Sequence, residues 1–157
     1  TPNIPEAEAL TGMTIRTLVD RKEAARRIAA LGARHVVVKG GHEEDAEESA
    51  DLLYDGQSFI MIATPRIRTS NTHGTGCTFA AAIAAELAKG RSVEEAVRTA
   101  KRFVHCAIGH GISIGHSGFG PTNHWAYRKR SAERPGGAEP SAERPDGVTL
   151  REERWPG

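Results

Sequence analysis

A thiol, two glycines and the expected start of a helix occur together at Asn71-Thr72-His73-Gly74-Thr75-Gly76-Cys77. Gly74 and Gly76 let the backbone fold tightly ahead of a helix predicted from Thr78 to Lys89. Unpaired N–H groups and the positive end of the helix dipole make such a place favourable for an anion. The chemistry this suggests is a loop that holds a transferring phosphate while Cys77 takes a proton; a glycine turn followed by a buried cysteine uses the same residues. A free thiol has a pKa of ~8.5 and helix N-termini bring thiols down to ~3.5–7.5, so a thiolate is obtainable there near neutral pH.

Two further groups have chemical potential. Lys39-Gly40-Gly41-His42 follows the β-branched run His35-Val36-Val37-Val38, at the carboxyl end of a predicted strand, where open α/β sheets bind ligands. Its glycines allow backbone N–H groups close to a phosphate and its lysine supplies a mobile charge, although a plain turn with a solvated lysine has the same composition. Near the start, Asn3 and Glu6 can offer a carbonyl and a carboxylate to a hydrated magnesium ion. They also fit an N-cap asparagine with a first-turn glutamate.

The elements that would carry these residues alternate between helix and strand. Pro5 suits the first position of a helix over Glu6 to Leu10 that stops near Gly12. A second helix is expected with Asp20 as cap and Glu23 three residues on, with Ala24, Ala25, Ile28 and Leu31 on its apolar stripe. Arg21, Lys22, Arg26 and Arg27 are expected to face water, and Gly32 to end the helix. The run His35–Val38 reads as a buried parallel strand. Glu43 to Glu48 is expected to loop out, and Leu52–Tyr54 and Phe59–Ile62 around Asp55-Gly56 form a hairpin. Apolar residues on every side of the helix after Cys77 mark it as enclosed. Ser92-Val93-Glu94-Glu95 opens the last helix, which runs to about Ile108 with Val93, Ala96, Val97, Ala100, Phe103, Val104 and Ala107 on one face and Cys106 as packing.

Composition narrows the setting. The chain has 157 residues, 38% of them hydrophobic, and 21 basic against 20 acidic side chains, which gives no case for nucleic acid. Two cysteines are too few for a disulfide framework, no apolar run approaches the ~20 residues of a membrane span, and no signal-peptide order is seen, so a cytoplasmic setting is expected. His110, His116 and His124 fit no helical ligand spacing, and Gly118 to His124 reads as an ordered closing turn. After Tyr127, Ser-Ala-Glu-Arg-Pro occurs at 131–135 and again at 141–145. The expectation is a domain over 1–128 and a disordered tail over 129–157.

Taken in order, TPNIPEAEALTG, VVVKGGH, SNTHGTGCTFAAAIAAELAKG and AKRFVHCAI followed by GPTNH resemble the C-terminal half of the hydroxymethylpyrimidine/phosphomethylpyrimidine kinases of thiamine biosynthesis. The resemblance covers about residues 1 to 125 and implies an α/β fold, part of a ribokinase-like three-layer sandwich. It implies phosphorylation of hydroxymethylpyrimidine and then of its monophosphate with ATP and Mg2+. Asn3 and Glu6 match an N-x-x-E element implied to organise the metal and the ATP phosphates, with Glu6 on the metal side. Lys39, Gly40, Gly41 and His42 match a loop near those phosphates. Gly74, Thr75 and Gly76 match the anion hole, and Cys77 stands where most ribokinase-like enzymes carry an aspartate base. Phosphoryl transfer is mostly positioning and charge neutralisation, so the glycine loop and metal are expected to contribute more than the thiol.

The strands and glycine-rich elements implied to hold the pyrimidine are not in this sequence. The apolar helix is therefore expected to leave surface that needs covering, by a complementing N-terminal half or a second copy. Alternatives are a pyridoxal-type kinase of the same superfamily, a non-catalytic nucleotide- or pyrimidine-binding module, and, more distantly, a cysteine hydrolase using Cys77 and His73.

Overall fold

In the computed structural model, residues 1–41, 46–111, 120–127 and 148–157 are described. Two compact units are present, residues 1–66 with 151–157 and residues 67–150, where composition suggested one domain over 1–128. Among the described residues no helix is long and apolar enough to cross a membrane.

The first unit is a four-stranded sheet, ordered β1-β2-β3-β4, with two helices. Helix α1 (Ile4–Thr11) opens two residues before its predicted start, with Asn3 as cap, and stops at Gly12, whose φ of 67° favours glycine. Helix α2 (Leu18–Ala30) is capped by Thr17 with Asp20 as the third helical residue, a correction of the predicted Asp20 cap. Asp20 Oδ2 accepts from the N–H groups of Arg16 and Thr17 and from the Thr17 hydroxyl, which commits that carboxylate to the turn before it. Glu23 instead pairs with Arg27 at 2.9 Å.

Of the four charges predicted to face water, Arg26 and Arg27 are exposed, whereas Arg21 is buried and Lys22 half-buried. Arg21 is 7% exposed and donates to the Ala50 carbonyl, and Lys22 and Arg26 lie over the Phe59 ring at 5.5 and 5.0 Å. Ala7, Ile15, Ala24, Ala25 and Ile28 form the core with Val36, Val38, Leu52 and Phe59 of the sheet.

Strands β1 (Val36–Val38), β2 (Glu48–Tyr54) and β3 (Ser58–Pro65) pair antiparallel, so the predicted parallel neighbour for β1 is corrected. The reason is connectivity: residues 39–47 are too few for the crossover that a parallel pair requires. The hairpin forms as expected and extends further at both ends; Asp55 accepts from the N–H groups of Gln57 and Ser58 to shape its turn. Of the acidic segment expected to loop out, 43–45 lies outside the described residues and Glu48 belongs to β2.

The far end of the chain overturns part of the disordered-tail expectation, because β4 (Arg151–Pro156) pairs antiparallel with β3. Residues 128–147, including both repeats, lie outside the described residues. A charged edge strand needs pairing on one side only, and Trp155 gives it one apolar anchor, with Lys22 Nζ 3.9 Å from its ring centroid. Arg151 Nη2 lies 2.7 Å from Glu48 Oε2, and hydrogen bonds from Arg151 hold the Glu48 carboxyl below its ordinary value. A lowered carboxyl contributes stability above its unfolded pKa and loses it as pH falls through the lowered value. Amide exchange in β4 is therefore expected to quicken on acidification through the carboxylate range. Glu48→Gln is expected to exchange faster already at neutral pH and to lose that acid step.

The second unit packs α3 (Thr75–Ala88) against α4 (Val93–Gly109). Helix α4 has the predicted Ser92/Glu95 capping box and a buried Ala96, Val97, Ala100, Cys106 and Ala107. Phe103 and Val104 are half-buried. Of α3, Phe79 and Ile83 are buried while Ala80, Ala81, Ala84, Ala85, Leu87 and Ala88 are exposed, so the described residues do not enclose this helix and the expected uncovered apolar surface is present.

Candidate functional site

The candidate residues form two sets, one in each unit. In the first unit, α1 begins with a reciprocal cap: Asn3 Oδ1 accepts from Glu6 N–H at 2.8 Å, and Glu6 Oε2 accepts from Asn3 N–H at 2.7 Å. The capping alternative is thus what these two side chains do in the free chain, and it occupies one of the two Glu6 carboxylate oxygens. The Lys39 N–H donates to the Pro2 carbonyl at 2.9 Å and Asn3 bridges Lys39 in parallel register, so the end of β1 and the start of α1 lie side by side.

Gly40 is buried and donates to Asp51 Oδ1 at 3.1 Å. A Cβ there would stand 2.1 Å from the Ala50 carbonyl oxygen and 2.6 Å from Arg21 Nη1, so the backbone seals against β2. Gly41 is exposed, with nothing among the described residues within 4 Å of a Cβ position. His42 lies outside the described residues.

In the second unit, Gly74 caps α3 with φ 84° and offers no side chain to the helix. Helices α1, α2 and α4 each have a capping box, whereas α3 has no side-chain cap hydrogen bond among the described residues. Thr75, Gly76 and Cys77 make that first turn, and the Cys77 thiol is exposed, unlike the buried Cys106.

Thr78, which the sequence reading did not single out, holds this turn in place together with Asn71 and residues 120–124. The Thr78 hydroxyl donates to the Gly74 carbonyl at 2.8 Å and lies 2.9 Å from His124 Nε2. The Thr122 hydroxyl lies 3.3 Å from the same nitrogen, so His124 Nε2 joins two hydroxyls, with the donor in each pair following the imidazole tautomer. Asn71 Oδ1 accepts from Gly120 N–H at 2.9 Å, and His73 bridges Pro121. Of the closing turn read over Gly118 to His124, Gly118 and Phe119 lie outside the described residues, and 120–124 buttress the glycine loop. His124→Ala is expected to cost about 1 kcal/mol in urea unfolding, the usual net worth of one hydrogen bond, and to quicken amide exchange in the first turn of α3.

Residues 1–123 match the phosphomethylpyrimidine kinase family. The chain belongs to that family. The hydroxymethylpyrimidine/phosphomethylpyrimidine kinase of Bacillus subtilis is 53% identical over 131 residues, which are 83% of this chain and 48% of that protein. A thiamine biosynthesis bifunctional protein of Geobacter sulfurreducens is 52% identical over 124 residues, 79% of this chain and 25% of that one. The pyridoxal kinase from Staphylococcus aureus in complex with AMP-PCP superposes with a TM-score of 0.81 at 38% identity, covering 98% of this chain and 51% of that one. The fold of this phosphomethylpyrimidine kinase family member is accordingly the α/β fold of the pyridoxal kinases, and it spans about half the length of the relatives it matches.

Proposed function

We propose that the chain carries phosphate-handling machinery of an ATP-dependent kinase that phosphorylates hydroxymethylpyrimidine and its monophosphate for thiamine diphosphate synthesis in the cytoplasm. The observation that supports this most is the glycine-opened N-terminus of α3, uncapped by any side chain among the described residues, with an exposed thiol in its first turn. The N–H groups of Gly76 and Cys77 are donors suited to negative charge developing on a phosphoryl group, the Thr75 N–H being held by the Thr72 carbonyl at 3.3 Å. Gly74 makes the tight entry at its positive φ, and Thr78 with His124 holds that entry shut. Cys77 would accept the proton of the attacking hydroxyl.

In the first unit, Lys39 would place a positive charge, and Gly40 and Gly41 a side-chain-free backbone, beside nucleotide phosphates, with His42 next to them in sequence. Glu6 would hold a hydrated magnesium ion: the cap uses its Oε2 and Asn3 Oδ1, and the exposed carboxylate has a second oxygen to offer. MgATP, when bound, supplies the phosphoryl group and neutralises its charge.

The deciding experiment is transfer from MgATP to hydroxymethylpyrimidine by this chain alone and by the chain joined to the N-terminal half of a relative. Transfer by either supports the proposal, and none from the joined form overturns it. The likeness to a pyridoxal kinase structure favours pyridoxal as the second substrate to assay. Faster turnover of pyridoxal by the joined form would select that reading.

A further inference from the structure

The geometry points to Arg66 as a positioning residue that fixes the Lys39-Gly40-Gly41 backbone. Arg66 follows β3 directly, and its own N–H donates to the Glu47 carbonyl at 2.7 Å. Its guanidinium then reaches both sides of residues 42–45: Nε donates to the Ala46 carbonyl at 2.9 Å and Nη1 to the Gly41 carbonyl at 3.2 Å. The donors of a guanidinium point in fixed directions within one plane, so two carbonyls bound to one Arg66 have a set separation. Nη2 is buried without a partner among the described residues, and the observed bonds of this side chain all go to main-chain carbonyls.

Each residue of the Lys39–Gly41 segment thereby has one backbone group tied: Lys39 N–H to Pro2, Gly40 N–H to Asp51, and Gly41 C=O to Arg66. The first two ties leave the peptide after Gly41 free to rotate. Arg66 removes that freedom, and Gly41 is the exposed residue of the three. This inference rests on the reading above, in which that backbone meets nucleotide phosphates.

The test is titration calorimetry of the full chain, wild type, Arg66→Lys and Arg66→Ala, with MgATP and separately with adenosine. Arg66→Ala is expected to lose about tenfold in MgATP affinity, the scale of one charge-assisted hydrogen bond, with adenosine affinity unchanged. Arg66→Lys, which lacks the planar fork, is expected to show a smaller loss of the same kind with a melting temperature near wild type. Millimolar guanidinium is expected to restore part of the MgATP affinity of Arg66→Ala. Equal loss for both ligands, or no loss, overturns the inference. A wild type that binds neither ligand counts against nucleotide binding by this chain alone and leaves the functional reading to transfer by the joined form. In that case amide exchange at Gly40, Gly41 and Glu47 decides on Arg66: about tenfold faster exchange in Arg66→Lys than in wild type supports the clamp, and equal exchange removes it.

Discussion

Replacing Cys77 by alanine is expected to lower turnover by roughly 10²–10⁴-fold, the range that a positioned general base contributes, while MgATP affinity stays within about twofold of wild type. The two effects separate because the side chain and the backbone of this residue have different work. The thiol is exposed on the first turn of α3, so its removal opens no cavity. The N–H groups of Gly76 and Cys77 remain, and with them the favourable site for phosphate charge. The buried Cys106 is the internal control: it is 3% exposed in α4, and Cys106→Ala is expected to lower stability without a selective loss of turnover. Cys77→Asp is expected to recover part of the rate, since a carboxylate can also accept the proton. The measurement is steady-state phosphoryl transfer by the chain joined to a relative's N-terminal half, with nucleotide affinity measured in parallel. Unaltered turnover in Cys77→Ala would take the thiol out of the mechanism and leave the helix terminus as the whole of the second unit's contribution.

What the sequence showed of this architecture was mainly what local chemistry decides. The Ser92/Glu95 box, the apolar stripe of α4 and the Asp55-Gly56 hairpin are signals contained within a few residues, and each formed as read. The start of α2 was harder because two capping patterns overlap, Thr17 with Asp20 and Asp20 with Glu23. The choice between them lay in Asp20 binding backwards to Arg16 and Thr17, which no pattern count reveals. The role of charge on α2 was hidden for a different reason. Long cationic side chains bury their stems, and the rings that Lys22 meets come from Phe59 and Trp155, far away in the chain.

The candidate site divides along the same line. Gly74, Gly76 and Cys77 are legible because a glycine entry and a helix terminus are neighbours in sequence. The supports of that loop are not: Asn71 and Gly120 are 49 positions apart, and Thr78 and His124 are 46 apart. Likewise, β4 is six residues inside a Pro- and Gly-rich stretch, and averaging its composition with its surroundings conceals a strand held by one tryptophan and an arginine–glutamate pair.

Gly40 and Gly41 look interchangeable in the sequence, and alanine is expected to affect them in opposite ways. At Gly40 a methyl group would overlap the Ala50 carbonyl oxygen at 2.1 Å, which is backbone in β2 and cannot swing aside. Arg21 Nη1 at 2.6 Å closes the other side, and this guanidinium is itself buried against Ala50. The loop must move away, which also strains the bond from Gly40 N–H to the buried Asp51 carboxylate. Overpacking of this kind costs about 1–3 kcal/mol and a weakened hydrogen bond to a buried charged acceptor adds to it, so Gly40→Ala is expected to lose about 3 kcal/mol or more in urea unfolding. At Gly41 the same methyl group meets nothing within 4 Å among the described residues, and no positive φ is present to strain it. Stability is therefore expected to change by less than about 0.5 kcal/mol, as for an exposed substitution. A phosphate approaching the Gly41 backbone would meet the new methyl group, so Gly41→Ala is expected to weaken MgATP while sparing adenosine. Unfolding curves for the two variants test the packing argument, and the two titrations test the ligand argument. A destabilised Gly41→Ala, or a Gly40→Ala as stable as wild type, would overturn the placement of this loop against β2. A stable Gly41→Ala with full MgATP affinity would leave the loop intact and remove the phosphate from it.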